Sequence, residues 1–158
     1  NHVGLLATEG TVKSQSYDME IHKLWPDIKV TGQACPFWVP LVEYNEADSP
    51  GADYFVKKRI DQLLRKDPEI DSIILGCTHF PLLMPKILKY TPPGITIVPQ
   101  GEYVASKLKD YLRRHPEMET LLTKGGDVKY FSTENASKFM ASASIFLHER
   151  IKATHIDL

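Results

Sequence analysis

Ile73-Ile74-Leu75-Gly76-Cys77-Thr78-His79-Phe80-Pro81 begins as an apolar run of strand length and ends at a proline placed where the first turn of a helix tolerates one. A glycine, a thiol, a hydroxyl and an imidazole fill the turn between strand and helix. Pro85 makes the helix that follows short or kinked. Upstream, Val3-Gly4-Leu5-Leu6-Ala7-Thr8 is a second apolar run, followed by Thr8-Glu9-Gly10-Thr11 and a helix-like segment from about Val12 to Trp25 that stops at Pro26. Ile28 to Ala34 reads as the next strand. The stretch Pro36 to Pro50 resists assignment, but past Gly51 the residues Phe55, Val56, Ile60, Leu63 and Leu64 share one helical face that stops at Asp67-Pro68. Downstream, Ile95-Thr96-Ile97-Val98 is a strand, and Val104, Leu108, Tyr111 and Leu112 form the stripe of an amphipathic helix. After a polar loop with Gly125-Gly126, Val128 to Phe131 gives a strand, and Phe139, Met140, Ala143, Phe146 and Leu147 give a helix face. Five strands alternating with about five helices predict an α/β fold with a mainly parallel sheet.

The composition excludes several classes of function. The chain has 158 residues, 42% hydrophobic and 25% charged, with 19 basic and 20 acidic side chains. That length suits one domain with its own core. A net charge of -1 without blocks of like charge argues against nucleic acid or an anionic membrane as the main partner. The triplet Lys57-Lys58-Arg59 is too short to alter this. No stretch approaches a membrane span, and the N-terminus lacks the layout of a signal peptide, so a cytoplasmic location is expected. The first apolar run starts almost at residue 1, which reads as the interior of a longer protein. Two cysteines outside any C-x-x-C pair make neither a disulfide framework nor a zinc site.

In open α/β sheets the ligand crevice lies beyond the carboxyl ends of the strands, which directs attention to three turns. Cys77 follows a strand and precedes a helix, where backbone N–H groups favour a thiolate. His79 is placed to tune that thiol or to move a proton, and Thr78 to cap the helix or meet a carboxylate. The plainer alternative is a buried cysteine used as a small apolar residue. A phosphatase loop would need an arginine six residues on, where Leu83 stands, so a nucleophile or a base remains. In the turn Thr8-Glu9-Gly10-Thr11, two hydroxyls flank a glycine and suit an anion, with helix capping as the alternative. Cys35, wedged before Pro36 among aromatic residues, reads as packing, while Glu43 faces either a cleft or solvent. His2, His22, His115, His148 and His155 read as surface residues.

Together these segments resemble the glutamate racemases of the cofactor-independent aspartate/glutamate racemase superfamily. The resemblance rests on Gly4 to Val12 with Ser14 and Tyr17, on Ala34-Cys35-Pro36 through Val39 to Glu43, and on Leu75-Gly76-Cys77-Thr78-His79-Phe80-Pro81-Leu82-Leu83. Val98-Pro99-Gln100-Gly101-Glu102 matches more weakly, and no function is placed on Gln100. The resemblance implies two pseudo-symmetric α/β lobes, each giving one catalytic cysteine. It makes Cys77 the thiol of the second lobe, assisted by His79, with Thr8, Thr11, Thr78 and, at the site edge, Glu43 binding substrate. The segments that carry the first thiol have no counterpart in this chain. Residues 1–94 are then the second lobe, residues 95–158 return to complete the first, and the chain alone is expected to be inactive. The resemblance implies glutamate as substrate, no cofactor and no metal, a homodimer, and a role in supplying D-glutamate for peptidoglycan. Three other readings stand beside it: an aspartate-type racemase, a cysteine hydrolase with Cys77 and His79, and a non-catalytic anion-binding module.

Overall fold

The computed structural model describes residues 1–147 and 149–157. Its elements in chain order are β1 (His2–Ala7), α1 (Glu9–Ser14), α2 (Ser16–Leu24), β2 (Lys29–Ala34), α3 (Trp38–Glu43), α4 (Pro50–Lys66) and β3 (Ser72–Gly76). A 3-10 turn (Phe80–Leu83) leads into α5 (Met84–Tyr90), β4 (Thr96–Val98), α6 (Gly101–Arg114), α7 (Pro116–Glu119), β5 (Tyr130–Ser132), α8 (Ala136–Leu147) and β6 (Ala153–His155). Contacts divide the chain into two compact units, Asn1–Lys107 and Leu108–Leu158.

In the first unit β2-β1-β3-β4 form one sheet in that order, and every pairing is parallel. The parallel α/β fold read from the sequence is therefore present. Buried on both faces, such strands consist of nearly continuous apolar residues. Leu6, Ile73 and Leu75 share the sheet face on which Gly4 meets Leu63 of α4, Leu5 and Ala7 point to the other face with Gly76, and all five are buried, as are Val56, Ile60 and Leu63. The two glycines allow close approach on these faces. A Cβ at Gly4 would lie 2.8 Å from Leu63 Cδ2, and one at Gly76 would lie 2.9 Å from both Ala7 Cβ and Leu5 Cδ1.

Several local expectations change. The helix expected from Val12 starts earlier, because the Thr8 side chain accepts from Thr11 N and caps α1. It is also broken at Gln15, whose φ of 53° ends α1 through a bond from its N–H to Val12 O. The unassigned stretch after Pro36 contains α3, anchored by the fully buried Trp38. His2 is not a surface residue: its ring is half-buried and its Nδ1 lies 2.9 Å from both carboxylate oxygens of buried Asp67. His148 lies outside the described residues. The stripe predicted for α6 forms, but Val104 and Leu108 remain 62% and 55% exposed.

In the second unit β5 and β6 pair in parallel, Tyr130 opposite Ala153 through Ser132 opposite His155. β6 went unread in the sequence, since Ala153-Thr154-His155 carries neither an apolar run nor a β-branched pattern. Asn135 Oδ1 accepts from Lys138 N at 3.0 Å at the start of α8. Among the described residues no helix is long and apolar enough to cross a membrane.

Candidate active site

Sheet register brings the three turns together. Ala7 pairs with Ala34 on one side and with Gly76 on the other, so Thr8, Cys35 and Cys77 leave the carboxyl ends of adjacent strands at one level. This is where an open parallel sheet places its ligand crevice.

Cys77 is half-buried, and its Sγ lies 3.8 Å from His79 Nδ1. The other ring nitrogen, Nε2, lies 3.1 Å from Glu43 Oε1. An ionised carboxylate only accepts hydrogen bonds, so in the neutral ring this contact puts the proton on Nε2 and leaves the Nδ1 lone pair facing the sulfur. His79 is 25% exposed and Glu43 58% exposed. Glu43 is the last residue of α3, and packing carries it there. Trp38, at the start of α3, sets its ring 4.7 Å from that of Phe80 in a tilted contact, and both side chains are buried. The aromatic pair thus ties the helix that bears Glu43 to the turn just past His79.

The hydroxyl turn is bonded to itself. Thr8 Oγ1 lies 2.9 Å from Thr11 Oγ1 and accepts from Thr11 N at 3.4 Å. Both side chains are half-buried, and Thr78 is exposed. The helix end expected directly at the sulfur lies further on, because the 3-10 turn begins at Phe80 and Cys77 meets it through its carbonyl, which accepts from Phe80 N at 3.2 Å. Cys35 is 1% exposed and donates to Gln33 O at 3.5 Å. Burial pushes its thiol far above the usual range, so it packs as a neutral apolar group. The sequence signalled Glu43 only as the end of an apolar run, because its partner lies 36 residues away.

Among the described residues one grouping has the composition of a metal site, His2, Asp67 and Glu69, with ligand atoms within 4.8 Å of one another. It lies at the start of β1, away from Cys77. Asp67 is already engaged there by Lys29 Nζ at 3.1 Å and by the Thr31 hydroxyl at 3.2 Å, as well as by His2.

No protein-family model matches the chain. Over its whole length it is homologous to glutamate racemases. It is 37% identical to the glutamate racemase of Lactiplantibacillus plantarum over 159 aligned positions, which cover 100% of this chain and 58% of that protein. Among solved structures, a glutamate racemase isoform from Bacillus anthracis superposes with a TM-score of 0.86 at 31% identity, covering 99% of this chain and 57% of the other. The glutamate racemase of Francisella tularensis, solved in complex with D-glutamate, gives a TM-score of 0.82 at 25% identity over 100% of this chain and 57% of its own. The chain therefore spans somewhat more than half the length of the relatives it matches.

Proposed function

We propose that this chain is part of a cofactor-independent glutamate racemase, contributing one of the two thiols that interconvert L- and D-glutamate. The observation that carries the reading is the Cys77–His79–Glu43 arrangement at the carboxyl ends of a parallel sheet, in a chain homologous throughout to glutamate racemases. In this reading residues 1–94 form the second lobe, and residues 95–158 belong with the rest of the first.

Inverting Cα without a cofactor requires one group to take the proton from one face and another to return a proton to the opposite face. A thiolate and a thiol suit the task, since acid–base catalysis is most effective with groups that titrate near the working pH. Cys77 serves one face. His79 accepts and returns the thiol proton through Nδ1, while Glu43 fixes the ring and favours the imidazolium when it forms. Thr8, Thr11 and Thr78 supply hydroxyls and backbone N–H groups to the charged ends of the substrate and to the charge that develops on its carboxylate. The second thiol lies in the part of the relatives that this chain does not match. Buried Cys35 is no substitute, so the chain alone is inactive in inversion. The protein acts in the cytoplasm, as a homodimer, in supplying D-glutamate for peptidoglycan.

One observation favours a second reading. A sulfur, an imidazole and an orienting carboxylate in series are also the parts of a cysteine hydrolase, which would form a covalent acyl-thioester on Cys77.

Proton NMR of D- and L-glutamate incubated separately in D2O tests both readings, using this chain alone and together with the remainder of a racemase. The expected result is no inversion by the chain alone, and inversion in the completed protein that falls by about a thousandfold or more in Cys77→Ala. Inversion by the chain alone would overturn the missing-thiol argument. A completed protein that is inert towards glutamate but shows an acyl-enzyme burst with thioester substrates would establish the hydrolase instead.

A further inference from the structure

β4 ends one residue before a proline. Its last paired residue, Val98, stands opposite Ile74 of β3, and because Thr96 N donates to Asp71 O at 2.9 Å and such bonds recur every second residue, the next in line would run from the backbone N–H of residue 100 to Leu75 O. A side chain takes over the ladder at that point. Gln100 Nε2 donates to Leu75 O at 2.6 Å, and the same amide meets the Tyr17 hydroxyl, at 2.8 Å from Nε2 and 3.1 Å from Oε1. Gln100 holds this position with a backbone φ of 23°, in the region non-glycine residues seldom occupy.

Both anchors lead to the candidate site. Leu75 is separated from Cys77 by Gly76 alone, and Gly76 is wedged against Ala7 and Leu5. Tyr17 lies on α2, joined through the Gln15 break to α1 and hence to the Thr8–Thr11 turn. One amide thus links the end of the thiol-bearing strand to the helix that follows the hydroxyl turn.

We propose that Gln100 is a positioning residue: its side-chain amide holds the end of β3, and with it Cys77, in register with the Tyr17 helix. The catalytic consequence rests on the racemase reading, while the structural consequence does not. Gln100→Glu keeps the shape but places an acceptor against Leu75 O, and Gln100→Met keeps the length with neither donor nor charge. Tyr17→Phe cuts only the link to α2.

Amide hydrogen exchange of the whole chain, followed by mass spectrometry, separates a local role from general destabilisation. In Gln100→Glu and Gln100→Met the peptide covering residues 74–79 should lose about tenfold in protection, while the peptide around Cys35, whose N–H bonds Ala7 O at 2.9 Å, keeps its protection. Tyr17→Phe should loosen α2 and spare residues 74–79. Unchanged protection at 74–79, or an equal loss around Cys35, would overturn the proposal. If either glutamine variant does not fold, the other carries the same prediction. In the completed protein the same variants should lower kcat about tenfold with KM held within about twofold. Inert wild-type protein that keeps the exchange contrast would refute the racemase reading and leave the positioning role standing.

Discussion

His79 stands between a sulfur and a carboxylate, and its two ring nitrogens have different partners. Because Glu43 accepts a hydrogen bond from Nε2–H, its substitution acts through the imidazole. Glu43→Gln keeps an acceptor and removes the charge, while Glu43→Ala removes both. Nitrogen-15 NMR of the imidazole should show the Nε2–H tautomer in the native chain and in Glu43→Gln, and a mixture of tautomers in Glu43→Ala. In the completed protein, turnover should fall about tenfold in Glu43→Gln and further in Glu43→Ala, with the thermal midpoint little changed because Glu43 is 58% exposed. A native tautomer in Glu43→Ala would reduce Glu43 to a surface residue. Cys77 and His79 were legible in the sequence because a thiol and an imidazole two residues apart share one turn. The link to Glu43 was not, since it depends on how Trp38 packs against Phe80.

At the scale of elements, β1 and β3 were legible because their residues run apolar almost without interruption, whereas β2 mixes Val30 with Lys29, Thr31 and Gln33 and is largely half-buried. Helix boundaries were less so. Thr8 and Thr11 both have capping chemistry, and only the fold shows that Thr8 caps α1 while Gln15 breaks it from α2. Least legible was Asp67, which reads as a helix-stop signal beside Pro68 and is in fact 1% exposed. It gathers the start of β1, the start of β2 and the end of α4 through His2, Lys29 and Thr31. The hydrogen bond from His2 is the largest influence on its carboxyl, followed among the favourable ones by Lys29, Glu69 N–H and Thr31, and they hold it well below the usual carboxylate range. A depressed folded pKa stabilises the fold fully above the unfolded value, near pH 4, and the contribution is lost as the pH falls further. Asp67→Asn should therefore melt well below the native chain at pH 7, with the gap narrowing steadily from about pH 4 downward. A gap independent of pH would show that Asp67 acts by packing and neutral hydrogen bonds.

For the molecule as a whole, the two compact units differ in how well each buries its own apolar surface. Among the described residues the buried hydrophobic side chains all lie between Leu5 and Ile87, in the first unit, whereas β5 and β6 form a parallel pair of two three-residue strands, and α8 contributes no buried residue. Parallel sheets are stable when helices cover both faces, and a two-stranded sheet is marginal by itself. Along α6, Tyr103, Val104, Leu108 and Tyr111 form an exposed apolar stripe, and Phe131 and Val128 add more apolar surface in the second unit. Surface of this kind marks an interaction face. In the proposed reading its partner is the portion of the racemase fold outside the residues that this chain matches in its relatives, which would extend the β5–β6 sheet and cover the stripe. Sedimentation of the chain alone should then give a mass that climbs with concentration above the 17.9 kDa of one chain. Leu108→Lys, placed on the stripe and away from Cys77, should suppress that climb without lowering the melting point of the first unit. Adding the complementary portion should replace the aggregates with one defined species and protect α6 and β5 from hydrogen exchange. A chain that stays monomeric at all concentrations, with α6 already protected, would show that the stripe needs no partner and would remove the second unit from the first lobe.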